Sequence, residues 1–599
     1  MLITKSLFVD YMSFPKLAWR KIHDKDVYNK IRKIETEEEK QHIIQLWQAV
    51  ENAVLEYLKV SDGREMVNLM PNFHEELTVT DDEDDGEDAS IDTFIEQYVS
   101  CEDLCQRTLE AIRQQIPILY QPSFQVGDCF VRADVMVLQP GGKYNLIEIK
   151  AKSWIRKEIT HEGVKCKVGA VDTKFINDVS FQKYVINQAL RSAWLQELSE
   201  VYIYYLNKGY VKNGQLDFTQ LIASEQIDLS TTFTIEGETK DRVIERLDHT
   251  LSTEKVLRSI DVMRSHLQLS EEEFNKIYPF TWIKYIEYFW EDRPFWTVMG
   301  RWIHHSKAEA ICDFYYTGRH DILALTDVEK DCFNSKWKKG ELWTSREFIE
   351  LYCSCKKKDK VHIIPDAIKQ QFWQLRYPIC FYDYESVSTP IPFMDNTYPY
   401  QQVVVQYSLH KLYSDGSMKH YGGVLWWQVS QPTNLLDFDH SNAVAFESDK
   451  VVYGSYKDLL QAMLDDIGDD IGSSFIVRYK PFENTRNKEI AGLFSDLAGK
   501  FLKINDNTFD LMDIFSKRLY FDPAFKWSCS IKKVLPVLVP DMSYDHLVVG
   551  NGSIAMRKLF DLISWNIESP DELIKNLLIY CGQDSLAMVR IFEELKKIL

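Results

Sequence analysis

Asp383 and Glu385 stand one residue apart in the run Phe381-Tyr382-Asp383-Tyr384-Glu385, shortly after Tyr377-Pro378. In an extended strand, residues i and i+2 face the same side, so these two carboxylates aim at one point. Hard divalent cations take convergent carboxylate oxygens, and metal binding is the chemistry this spacing suits. With 90 Asp and Glu residues in the chain, a single triplet carries little weight, because an exposed sheet edge would hold it equally well. Two later acids add to it. Glu483 lies where the apolar stretch Ile476-Val477 runs through Arg478-Tyr479-Lys480-Pro481-Phe482 into a helix. Tyr580 and Asp584 are spaced to share one face of a C-terminal helix over Leu573–Leu599. Asp513 is an alternative to Glu483.

A second acidic set lies upstream. Asp134 falls in Cys129–Leu138, read as one strand; Gly141-Gly142 makes a turn; and Glu148 and Lys150 share a face of the next strand, Tyr144–Lys150. Gln182 follows in a helix from Asp178 to about Leu198, and a strand over Val201–Leu206 comes next.

The elements that must carry these residues are legible in outline. At 599 residues the chain is too long for one core, and roughly three to four domains are expected. Its composition, 45% hydrophobic and 27% charged, is globular, and the 13% aromatic content suits either a packed core or base stacking. The net charge of −20 argues against a generic nucleic-acid-coating protein, but a local basic groove is compatible with it, so charge leaves a nuclease open. The 11 cysteines form no paired CxxC sets, which argues against a zinc ribbon. No apolar run is long enough to span a membrane and no signal peptide opens the chain, so a cytoplasmic location is expected. A helix capped by Ser6 is predicted near the start, a long helix over 26–60, a solvated acidic loop at 81–88, and a helical, aromatic stretch over 240–350 that includes Trp282, Tyr285, Tyr288, Phe289 and Trp290.

The ordered series Arg132-Ala133-Asp134, Ile147-Glu148-Ile149-Lys150, Phe181-Gln182 and Leu206-Asn207-Lys208 resembles the PD-(D/E)xK nucleases, in particular RecB-like domains including the CRISPR-associated Cas-four type. The later series Asp383-x-Glu385, Glu483 and Tyr580-x-x-x-Asp584 resembles the DEDD (DnaQ-like) exonucleases of the ribonuclease H-like fold. Together with Pro399-Tyr400-Gln401-Gln402, Ser530–Pro536, Ser543-Tyr544 and Gly550-Asn551-Gly552, the chain is most similar to an uncharacterised bacterial family joining the two. The resemblance covers most of the chain. It implies an α/β multidomain protein: a PD-(D/E)xK, restriction-endonuclease-like domain over 1–235, a helical linking region over 236–365, and a ribonuclease H-like mixed-sheet domain over 366–599.

The same resemblance implies metal-dependent phosphodiester hydrolysis, with DNA ahead of RNA as the partner. Asp134 and Glu148 would hold one or two Mg²⁺ or Mn²⁺ ions, with Lys150 catalytic, Gln182 supporting, and Glu51 or Glu56 at an upstream acidic position. Asp383, Glu385, Glu483 and Asp584 would hold two ions about 4 Å apart, and Tyr580 would position the attacking water. Two departures stand out. Lys480 and Glu483 occupy a motif that in the wider superfamily reads Asn-x-x-x-Asp. Relatives often hold an iron–sulfur cluster, whereas this chain has Phe14 before Pro15 and an aromatic segment over Tyr278–Tyr285, so no cluster is expected. The rival readings are a nucleic-acid-binding scaffold with one or both domains inactive, and an RNA-processing exonuclease.

Overall fold

The computed structural model describes residues 1–26, 28, 37–70, 100–154, 157–161, 164–168, 173–226, 253–278, 323, 326, 327, 330, 345–426, 448–453, 455–525, 528–544, 546–563 and 570–599. The acidic run 81–88, the segment 279–285 and the aromatics Tyr288, Phe289 and Trp290 lie outside them. The chain is mixed α/β and divides into two compact units, Met1–Phe289 with Pro390–Tyr400, and Trp290–Thr389 with Gln401–Leu599. No helix among the described residues is long and apolar enough to cross a membrane.

The first unit contains β1 (Ile3–Thr4), β2 (Met66–Asn68), β3 (Ile118–Tyr120), β4 (Ser123–Val126), β5 (Cys129–Arg132), β6 (Val135–Leu138), β7 (Tyr144–Trp154), β8 (Lys157–His161), β9 (Val164–Val168), β10 (Val201–Asn207) and β11 (Ile222–Gln226). Six of them form a mixed sheet ordered β11-β10-β7-β6-β3-β2, three form a sheet ordered β1-β5-β4, and β8 pairs with β9. Strand alternation sorts the main sheet's side chains onto two faces. Ile118, Val135, Val137, Ile147 and Ile149 face the helix Glu37–Ser61 through Val50, Val54 and Leu58. Leu119, Met136, Leu146 and Ile203 lie in the opposite core with Phe181 and Val185 of the helix Thr173–Ser192. Each such side chain, fully buried, contributes about 1.5–3 kcal/mol relative to exposure.

Two local expectations need correction. The first helix starts at Lys5 and its cap is Thr4, whose hydroxyl accepts from Leu7 N at 3.3 Å; Ser6 is inside the helix. Cys129–Leu138 is also not one strand. Its apolar residues divide between two sheets, and the chain bends at Ala133-Asp134 to pass from one to the other.

The second unit contains β12 (His362–Ile363), β13 (Ile379–Ser388), β14 (Gln402–Leu412), β15 (Met418–Trp426), β16 (Ser448–Tyr453), β17 (Phe475–Val477), β18 (Thr508–Asp510) and β19 (Tyr520–Phe521). The main sheet is ordered β16-β15-β14-β13-β17-β18, and β12 pairs with β19. The β13-β14 and β14-β15 pairs are antiparallel, whereas β15-β16, β13-β17 and β17-β18 are parallel. The C-terminal helix Pro570–Lys597 packs across β13, β14 and β15. β13 is central and buried along nine of its ten residues, so any carboxylate it carries has been removed from bulk water.

Candidate metal centres

In the second unit, β13 brings Asp383 and Glu385 to one place, and the helix Pro570–Lys597 brings Asp584 against them. A carboxylate oxygen from each of the three lies within 4.8 Å of the others, and all three residues are buried. The intervening aromatics serve the scaffold: Tyr384 donates to Asn487 Oδ1 at 2.9 Å, and Asn487 Nδ2 donates to the Tyr382 hydroxyl at 3.1 Å. Asn487 belongs to the helix Lys480–Leu493, which also carries Glu483 in its first turn. Glu483 is outside the tight trio but close enough to Asp383 for their charges to interact.

The acids are poorly satisfied by the protein itself. Asp383 Oδ2, Glu385 Oε1, Glu483 Oε2 and Asp584 Oδ2 are buried and accept no hydrogen bond. Buried polar atoms are nearly always paired, and an unpaired carboxylate is expensive. Burial, opposed by Arg478 and reinforced by Asp584, pushes the Asp383 carboxyl up to about 7. Burial and then Asp383 push Glu483 up to about 9, and burial with Asp383 and Asp584 holds Glu385 well above the usual range. Such a cluster repels its own ionisation and is complementary to multivalent positive charge.

Tyr580, one helical turn before Asp584, has a buried hydroxyl with no hydrogen-bond partner. Three further residues at this centre were not among those expected. Arg478 follows β17 directly; its Nε lies 3.1 Å from Asp383 Oδ1 and its Nη1 3.7 Å from Asp584 Oδ2. Tyr544 donates to Asp584 Oδ1 at 2.6 Å. Lys532 Nζ sits over the rings of Tyr544 and Tyr580 and donates to Gly550 O at 2.9 Å. Their segments carried the family resemblance, but nothing in their local spacing marked them as neighbours of the acids.

Lys480 is placed away from this chemistry, since its Nζ donates to Thr508 O at 2.6 Å and its backbone N–H to Asp510 Oδ2 at 2.9 Å. Asp513 instead pairs with Lys517 at 2.5 Å, half exposed. Of the two acids weighed for the middle position, Glu483 is therefore the one near the trio.

In the first unit, Asp134 lies at the bend between β5 and β6 rather than within a strand, and its Oδ2 accepts from Ile149 N at 2.7 Å. Glu148 and Lys150 share a face of β7, with Lys150 Nζ 2.6 Å from Glu148 Oε1. Gln182 Nε2 donates to Glu148 Oε2 at 2.7 Å and to Asp178 Oδ1 at 2.8 Å. Asp178 also receives Lys150 Nζ at 2.6 Å; it stands one helical turn before Gln182, a spacing that could have marked it. Lys5 enters from the N-terminal helix, with Nζ 3.1 Å from Glu148 Oε1 and 3.6 Å from Asp134 Oδ1. Burial pulls its ammonium down, but Asp134, Glu148 and Asp178 outweigh that and hold it above its ordinary value.

A cavity of about 830 Å³ opens onto Lys5, Glu51, Asp134, Glu148 and Lys150, with Trp47 and Tyr120 in its walls. Glu51 is buried there, accepting from the Tyr120 hydroxyl and Gln121 Nε2, each at 3.2 Å. Burial and the Asp134 charge push it up to about 8. Glu56 is half exposed and pairs with Lys59. Phe14 is buried where the first two helices meet.

Residues 380–530 match a family described as a domain of unknown function, DUF2779. This span contains Asp383, Glu385, Arg478 and Glu483 and stops before Tyr580 and Asp584. The chain is also similar to the uncharacterized protein UU173 of Ureaplasma parvum, 25% identical over 333 residues that cover 52% of this chain and 43% of that protein. It is similar to the uncharacterized protein MG366 of Mycoplasma genitalium, 24% identical over 274 residues covering 43% of this chain and 38% of that one. The chain thus spans less than half the length of these curated relatives.

Proposed function

We propose that this protein is a metal-dependent nuclease with two phosphodiester-hydrolysing centres, acting on DNA in preference to RNA. The observation that carries this reading is the meeting of Asp383, Glu385 and Asp584 with oxygens within 4.8 Å of one another and with buried lone pairs that no protein donor satisfies. The strand series β15-β14-β13-β17-β18, with three antiparallel strands followed by two parallel ones, supports a ribonuclease H-like fold for the second unit. Asp134, Glu148 and Lys150, gathered at the edge of a cavity with Gln182 bonded to Glu148 behind them, support a PD-(D/E)xK centre in the first.

Both donor sets are all carboxylate, which suits hard divalent ions; the second unit's acids are also partly unsatisfied, whereas Glu148 is met by Lys5, Lys150 and Gln182. Mg²⁺ or Mn²⁺, held by Asp383, Glu385, Glu483 and Asp584 in one centre and by Asp134 and Glu148 in the other, would polarise the scissile phosphate and acidify the attacking water. The protein's own groups do the rest. The Tyr580 hydroxyl, with no partner of its own, orients the water. Tyr544 fixes the rotamer of Asp584. Lys150 offsets charge that develops on the phosphate, and Gln182 holds the Glu148 carboxylate while Asp178 steadies Lys150.

Arg478, a cation already set between two of the acids, favours a second reading in which the second unit grips nucleic acid without cleaving it. The test is a matched panel of end-labelled single- and double-stranded DNA and RNA, incubated with Mn²⁺ or with chelator. Metal-dependent cleavage, strongest on DNA, is expected; binding without any cleavage would establish the second reading.

A further inference from the structure

We infer that Arg478 has two positions in the working cycle of the second unit: counter-ion of the acids while no metal is held, and ligand of a substrate phosphate once metal has loaded. The inference rests on the metal-dependent reading above.

The guanidinium lies against Asp383 and Asp584, two of the three acids whose oxygens converge. It therefore neutralises the same oxygens that a divalent ion would take. It cannot escape the conflict by losing a proton, because arginine stays charged in proteins. Two cations on one pair of oxygens repel each other steeply at such distances, so metal loading must displace the guanidinium. Its side chain follows β17 directly and is 28% exposed to solvent, so once those ion pairs are broken it has a way outward. A guanidinium moved outward by a few ångströms stays beside the metal centre and presents a planar fork, which matches phosphate oxygens. Lys532, the other cation at this centre, is held by Gly550 O and by two aromatic rings, so it cannot make the same excursion without giving up those contacts.

The experiment titrates the full-length chain with Mn²⁺ alone, reading bound and free metal by electron paramagnetic resonance, for wild type, Arg478→Met and Arg478→Lys. Loss of the competing ion pair is expected to tighten Mn²⁺ binding by about tenfold in Arg478→Met. That gain should vanish when Asp383→Asn is added. Thymidine 5′-monophosphate is then titrated against the Mn²⁺-saturated proteins, where Arg478→Met should bind it about tenfold more weakly. Arg478→Lys keeps the charge and loses the fork, so its Mn²⁺ affinity should stay near wild type while its nucleotide affinity falls. Unchanged or weaker Mn²⁺ binding in Arg478→Met, with the wild type binding metal through Asp383, would overturn the inference and leave the nuclease reading standing. Absence of any Asp383-dependent Mn²⁺ binding in all three proteins would overturn both. If Arg478→Met does not fold, nucleotide affinity in Arg478→Lys decides: a value equal to wild type counts against a phosphate-gripping fork.

Discussion

The Tyr544 hydroxyl donates to Asp584 Oδ1 at 2.6 Å, whereas the other oxygen of that carboxylate, Oδ2, accepts nothing. One oxygen is thus tied to the scaffold, and the other, with Arg478 Nη1 3.7 Å away as a counter-charge, is turned toward Asp383 and Glu385. The pairing crosses from a loop segment to the C-terminal helix and orients an acid that its own helix can only place. Tyr544→Phe removes one charge-assisted hydrogen bond to a buried carboxylate, a loss of about 1.5–3 kcal/mol. Measured in a Glu148→Ala background, so that only the second unit acts, kcat should fall by about tenfold or more while the fold persists.

Gln182 plays the corresponding part in the first unit. Its amide bridges Glu148 Oε2 and Asp178 Oδ1, one acid expected to hold metal and another that steadies Lys150. Gln182→Leu, studied in an Asp383→Ala background, should lower kcat by about 10–100-fold through loss of this bridge. Asp178→Asn should act in the same direction, because it weakens the partner of Lys150. An unaltered rate in both variants would remove the bridge from the account.

The raised acids give a sign for the pH dependence of stability. Asp383, held up to about 7, faces Arg478, Asp584, Glu385 and Tyr580, and Glu483, held up to about 9, faces Asp383, Arg478 and Asp510. Each keeps its proton in the folded state over a range where the unfolded chain has lost it. The stability they contribute is therefore greatest below their ordinary values and declines as pH rises through about 4 to 9. In chelator, the melting temperature should drop between about pH 5 and pH 8, and Mn²⁺ should reduce that drop by stabilising the ionised cluster. A metal-free melting temperature that rises across the same interval would contradict the assignment.

Gly423 of β15 pairs with Tyr407 of β14, whose hydroxyl donates to Asp466 at 2.6 Å and so fixes the ring. A Cβ at position 423 would meet Tyr407 Cε1 at 2.5 Å. Gly423→Ala should destabilise the second unit by about 1–3 kcal/mol through overpacking, visible as a lower denaturation midpoint with an unchanged m-value.

Sequence periodicity reached the parts of these centres that are local. Asp383 and Glu385 follow from strand alternation, Tyr580 and Asp584 from helical spacing, and Glu148 with Lys150 from the strand after Gly141-Gly142. It failed where the chain changes sheet: Asp134 is at a bend because β5 and β6 belong to different sheets, although apolar residues run through both. Lys480 looks like an intruder in an acidic motif, but its long side chain reaches back to Thr508 O instead of the acids. Lys5, Arg478, Lys532 and Tyr544 were missed for one reason. Their meaning depends on which distant acid they meet, and a lysine at a helix start or an arginine after a strand is, by itself, an ordinary surface residue.

The most direct test of the two-centre account is Mn²⁺-dependent hydrolysis of end-labelled DNA by wild type, Glu148→Ala, Asp383→Ala and the double variant. Each single substitution is expected to abolish a different part of the cleavage pattern, and the double variant to be inert. Cleavage by the double variant equal to wild type, or no cleavage by the wild type on any strand form, would contradict it.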